Sequence, residues 1–170
     1  MSKKTRKLTL CALFSALAFV ILYFASIWPT GQLGLVAAAS LFTAAAVVEA
    51  GPVSGFYVFF ISSALAIVLL PNRTTVFLYM SFFGYYPVIK SLVERLRQAW
   101  LQWTLKLLVF NIALTVIWYV FEELIFSFNV YNVHIALIYL GGSLVFAVFD
   151  YGFTKVIWFY INRVSRQGRK

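Results

Sequence analysis

The sequence predicts an all-α fold, a polytopic membrane protein built as a bundle of six transmembrane helices, and three observations carry that prediction. Of its 170 residues, 63% are hydrophobic and 11% charged, which is more apolar surface than one soluble core of that size can hide. Apolar runs of about 20 residues, the length that crosses a bilayer as a helix, recur from end to end. The fourteen Lys and Arg residues behind the +9 formal charge stand at the ends of those runs. They describe membrane topology and not a nucleic-acid face, so no nucleic-acid partner is expected.

Residues 1–170 read as a single domain. Ser2 to Lys7 is a basic head, and span one follows over residues 8–28. The run is long for the apolar core of a signal peptide and no A-x-A cleavage site follows, so it is read as a retained helix. Ala12 and Ala16 form a small-xxx-small pair beside Cys11 and Ser15, a low surface that lets another helix come close, or that serves ordinary internal packing. The single Cys11 excludes an internal disulfide framework.

A turn at Trp28-Pro29-Thr30-Gly31-Gln32 leads to span two, 33–50, so crowded with Ala and Ser that it is expected inside the bundle. Gly51-Pro52 breaks it and starts span three, 53–70. Glu49, at that break, reads as solvated or capping. Pro71-Asn72-Arg73-Thr74 is the next turn, and span four, 75–93, carries Pro87, which can kink a helix and free a carbonyl. Lys90 to Lys106, basic and holding Trp100 and Trp103, reads as a segment lying at the headgroups. Spans five, 105–128, and six, 133–161, complete the set. The length of span six predicts a tilt, a break near Gly141-Gly142, or a projection beyond the bilayer.

Six spans put both termini on one side. Thirteen of the fourteen basic residues fall on that side and only Arg73 opposes them, which predicts cytoplasmic termini in a plasma-membrane protein. The opposite, outer face then collects the turns at Trp28–Gln32, Pro71–Thr74 and Asn129–His134. Near it lie Trp28, Gln32, Asn72, Arg73, Tyr79, Trp118, Tyr119, Glu122, Glu123, Asn129, Asn132, His134 and Tyr139, the candidate substrate-binding set.

Glu122 and Glu123 draw most attention, because a charged group at mid-membrane costs roughly 2.5–3.5 kcal/mol and is kept only against a partner, cavity or ligand. Glu122 shares a helical face with Trp118 and Tyr119, whereas Glu123 points about 100° away. Each candidate has a plainer role: the acids can bond His134, Arg73 or a Tyr hydroxyl, His134 can be a solvated helix start, and Trp28 and Tyr131 can be an aromatic belt. Asp150 and Lys155 on span six are expected to pair structurally, with a proton relay the weaker reading.

One His, one Cys and no H-E-x-x-H, G-x-S-x-G or phosphate-loop motif give no visible machinery for metal hydrolysis, serine catalysis or ATP use. The chain is expected to be no enzyme, and to hold neither metal nor cofactor.

The run Arg6-Lys7-Leu8-Thr9-Leu10-Cys11-Ala12-Leu13-Phe14-Ser15-Ala16-Leu17-Ala18, with the chain length, six spans and termini, resembles the substrate-binding S components of energy-coupling factor (ECF) vitamin transporters. The resemblance implies that Ala12 and Ala16 face a transmembrane coupling subunit, that two cytoplasmic ATPases supply the energy, and that a small-molecule nutrient is held near the outer face. Stacking on Trp and Tyr with a carboxylate counter-charge suits an aromatic or cationic nutrient. A second expectation is a non-transporting membrane scaffold, similar in size and span count to the small membrane subunit of cell-shape and cell-wall machinery. Its acids and Arg73 would bond internally and its basic segment would meet anionic lipid or a cytoplasmic partner. A solitary transporter is less attractive, since no internal repeat is visible.

Overall fold

The computed structural model describes residues 3–28, 30–125 and 135–165, with side chains at 4–28, 30–119 and 137–163. It is all α-helical: α1 (Lys3–Ile27), α2 (Gln32–Ala50), α3 (Pro52–Leu69), α4 (Arg73–Leu78), a π-helical turn (Tyr79–Phe83), α5 (Tyr86–Val93), α6 (Ala99–Ile125), α7 (Ile135–Tyr160) and a second π turn (Ile161–Ser165). Among the described residues six helical segments are long and apolar enough to cross a membrane, and the chain is a multi-pass membrane protein. Two compact units compose it: Met1–Arg95 with Ile157–Lys170, and Leu96–Val156.

In the first unit α2 is the enclosed helix. No residue from Leu35 to Ala50 is exposed, as its small side chains predict, because they let α1 and α3 approach its backbone. The α1 face that meets them is a single helical stripe of Cys11, Phe14, Ser15, Ala18, Leu22, Ala25 and Ser26. Leu22, Ala25, Val36, Ala39, Ala66, Leu70, Val76 and Tyr79 form one apolar cluster, and Cys11, Phe14, Ala45, Ala46 and Val58 another. Gly51 ends α2 and begins α3 at φ 97° and ψ 171°, a conformation essentially confined to glycine, with Pro52 in the first turn of α3.

Span four is broken where Pro87 predicts trouble. The Gly84 N–H reaches back five residues to the Tyr79 carbonyl at 2.7 Å, making the π turn, and the helix restarts with Pro87 in its first turn, where a missing N–H costs nothing. A Cβ on Gly84 would sit 2.5 Å from the Phe59 ring, so the break also brings this backbone against α3.

The Lys90–Lys106 segment departs from expectation. In it α5 runs to Val93, a turn spans 94–98, and α6 begins at Ala99. Trp100 and Trp103 are exposed on the first turns of α6, while Lys90 and Lys106, expected at the headgroups, are buried at 2% and 5% exposure. Both find carboxylates, which is why they go inside. Span one begins at Lys3, inside the basic head. Span six is unbroken at Gly141-Gly142; there Gly142 accommodates Leu114 and Phe110 of α6.

In the second unit α6 and α7 form an antiparallel pair whose register can be read from its contacts. Lys106 bonds Asp150 at 3.0 Å, Phe110 stacks on Phe146 at 4.7 Å, and the Thr115 and Tyr139 hydroxyls lie 2.8 Å apart. The contacts advance along α6 as they run back along α7.

Candidate functional site

The candidate residues fall into three groups. The first surrounds the turns before α2 and before α4. Trp28 is 65% exposed and walls an open groove of about 550 Å³ together with Phe24, Thr30, Gly31, Gly34 and Leu35. Gly31 sits at φ 85°, a left-handed residue that turns the chain sharply and leaves the groove without a side chain at that point. An aromatic wall over a glycine floor suits a flat apolar group.

Gln32, Asn72 and Arg73 are tied into the bundle beside it. Gln32 Nε2 donates to Thr75 Oγ1 at 2.6 Å. The Asn72 side chain accepts from the Thr74 N–H at 2.9 Å, capping α4, and its own N–H donates to Ser26 Oγ at 3.1 Å. Arg73 donates to the Ile67 carbonyl at the end of α3. These bonds join the two turns to each other.

Tyr79 differs more sharply from expectation. Instead of lining a pocket it is fully buried, its hydroxyl 2.9 Å from Ser62 Oγ on α3 and 3.3 Å from Thr43 Oγ1 on α2. Buried polar groups take internal partners, and a Tyr at the meeting of three helices is held by two of them. It is a strut of the core.

The α6–α7 unit holds the second group. Trp118 is half-buried and Tyr119 is 71% exposed, while Tyr139 is half-buried and engaged with Thr115. The α6 backbone carries Glu122 and Glu123; their side chains, and Asn129, Tyr131, Asn132 and His134, lie outside the described residues.

Third are charged residues whose placement sequence reasoning missed. Asp150 pairs with Lys106, not with Lys155, whose ammonium stands 5.3 Å from the Tyr151 ring centroid. Five residues along a helix carry Lys155 well off the Asp150 face, whereas Lys106 arrives from α6 on that face. The pair is 6% and 4% exposed, and Lys106 also lies 5.7 Å from the Trp103 ring centroid, a cation–π distance. Lys90 pairs with Glu94 at 3.0 Å. Beside them Val47, Val48, Pro87 and Ile157 wall a second, more enclosed cavity of about 240 Å³. The signal was present in both cases, a lysine inside a span-length run, but proximity to other basic residues made each look interfacial. Among the described residues, no three His, Cys, Asp or Glu side chains gather as a metal ion would need.

No protein-family model, curated protein or solved structure matches the chain.

Proposed function

We propose that the chain is the membrane-embedded capture subunit of an ECF-type importer, taking a small aromatic or cationic nutrient from the outer face of the plasma membrane. The observation that carries this reading is on α1. While the Cys11-to-Ser26 stripe is buried against α2 and α3, Ala12 and Ala16 are exposed on another face of the same helix. That leaves a low surface, one turn long, on which a partner helix can lie close.

The partner is a transmembrane coupling subunit, and two cytoplasmic ATPases drive it; this chain itself catalyses nothing and carries no cofactor. Two places offer aromatic stacking to the nutrient, the Trp28 groove and the Trp118-Tyr119 face of α6, and Glu122 or Glu123 supplies the counter-charge. Gln32, Asn72, Arg73 and Tyr79 serve the bundle, and substituting them acts on stability.

Pull-down of tagged protein from its native membrane tests the reading. Ala12→Trp or Ala16→Trp is expected to lose the coupling subunit while nutrient binding to the purified chain stays intact. Normal uptake by either variant overturns it.

A membrane scaffold of cell-shape or cell-wall machinery is the second reading, favoured by the internal pairing of Lys106 with Asp150 and Lys90 with Glu94. It predicts co-purifying wall-synthesis proteins and no nutrient.

A further inference from the structure

The cavity beside Lys90 lies at the opposite end of α2 from the Trp28 groove, within the first unit. Its walls, Val47, Val48, Pro87 and Ile157, are apolar, and its volume is about 240 Å³. That is below the roughly 300–1,000 Å³ of sites that enclose a whole drug-sized molecule, so what fits is one part of a longer molecule.

The polar side of the cavity is built around one buried cation. The Lys90 ammonium is 2% exposed and sits in the last turn of α5, where helix carbonyls favour positive charge. Its carboxylate partner, Glu94 Oε1 at 3.0 Å, belongs to a side chain that is 39% exposed. A buried ammonium needs an anion, but this anion is on a flexible side chain at the edge of water, just past the helix end. Another acid can take its place without leaving Lys90 uncompensated. Ser91 Oγ donates to the Val88 carbonyl at 2.8 Å, so Lys90 is the donor that faces the cavity from α5.

A buried charged donor beside an apolar slot, at one end of a membrane-spanning bundle, matches one chemical form. We infer that this cavity binds an acidic membrane amphiphile: its phosphate or carboxylate replaces Glu94 at Lys90, and part of its acyl chain enters between α2, α5 and α7. The site is independent of the nutrient reading, since it needs neither the Trp28 groove nor the α6 carboxylates.

The full chain in phosphatidylcholine nanodiscs, titrated with phosphatidylglycerol, oleate or inorganic phosphate and read by native mass spectrometry, tests this. One phosphatidylglycerol or oleate is expected to stay bound in preference to phosphatidylcholine, and whichever of the two is retained identifies a phosphate or a carboxylate head. Lys90→Met should weaken retention by about tenfold or more, the worth of one charged hydrogen bond. Val48→Phe, which fills the slot, should abolish it. Glu94→Gln, which removes the internal competitor, should tighten it, a gain that misfolding cannot mimic. Equal retention in the wild type, Lys90→Met and Val48→Phe overturns the inference, as does displacement of the lipid by inorganic phosphate at matched concentration.

Discussion

At the residue scale, the polar side chains divide by whether a neighbouring helix meets them. Tyr79 is met twice, by Ser62 and Thr43, and interhelical hydrogen bonds in membranes are worth about 0.6 kcal/mol on average and up to about 1.7. Tyr79→Phe is therefore expected to lower unfolding free energy in detergent by about 1 kcal/mol and to leave nutrient affinity unchanged; a selective loss of affinity at full stability would return Tyr79 to the binding site. Lys106 and Asp150 form a sharper case, because removing one partner of a buried pair strands a charge. Lys106→Met alone should cost about 3–5 kcal/mol, and Lys106→Met with Asp150→Leu should recover most of it. Failure of the double variant to recover, measured by thermal unfolding, would give the pair a role beyond bonding. Sequence could flag both charges but not their partner, since Lys155 is near Asp150 in sequence and Lys106 is near it only once α6 and α7 pair.

At the element scale, composition was a good guide wherever backbone chemistry decides. The small residues of α2, the Gly51-Pro52 junction and the break before Pro87 were all legible, because missing side chains, left-handed φ and a missing N–H act locally. Gly51→Ala tests the junction: at φ 97° a Cβ is strained by about 1–3 kcal/mol, so the variant should lose that much stability in the same unfolding assay, and an unchanged midpoint would show that the junction relaxes. Illegible were the exact helix starts in the basic segment. Lys90, Trp100, Trp103 and Lys106 look alike as interfacial residues, and only the pairing with Glu94 and Asp150 tells which of them turn inward. The α1 surface belongs to this scale too. Sequence marked Ala12 and Ala16 as small without saying whether they face the bundle, and the buried stripe beginning at Cys11 and Phe14 puts them outside it.

At the scale of the whole molecule, six membrane-length helices follow directly from hydropathy and run length, and they are what the chain forms. The proposed orientation extends the charge bias: single cysteines at Thr30 and Arg97 should differ, the first labelled by an impermeant maleimide in intact cells and the second only after lysis. Reversed labelling would invert the topology and remove the outward-facing capture site. How the candidate site is assembled was less legible than the fold, because a binding site depends on helix rotation and the sequence supplies only periodicity; thus Tyr79 and Gln32 turned to neighbouring helices while Trp28 stayed open. The most direct test of the capture-subunit reading is gentle affinity purification of the tagged chain from its native membrane, with mass spectrometry of co-purifying proteins and of small molecules released on denaturation. A transmembrane coupling subunit, two ATPases and a stoichiometric nutrient are the expected result; cell-shape or wall-synthesis proteins with no small molecule would contradict it.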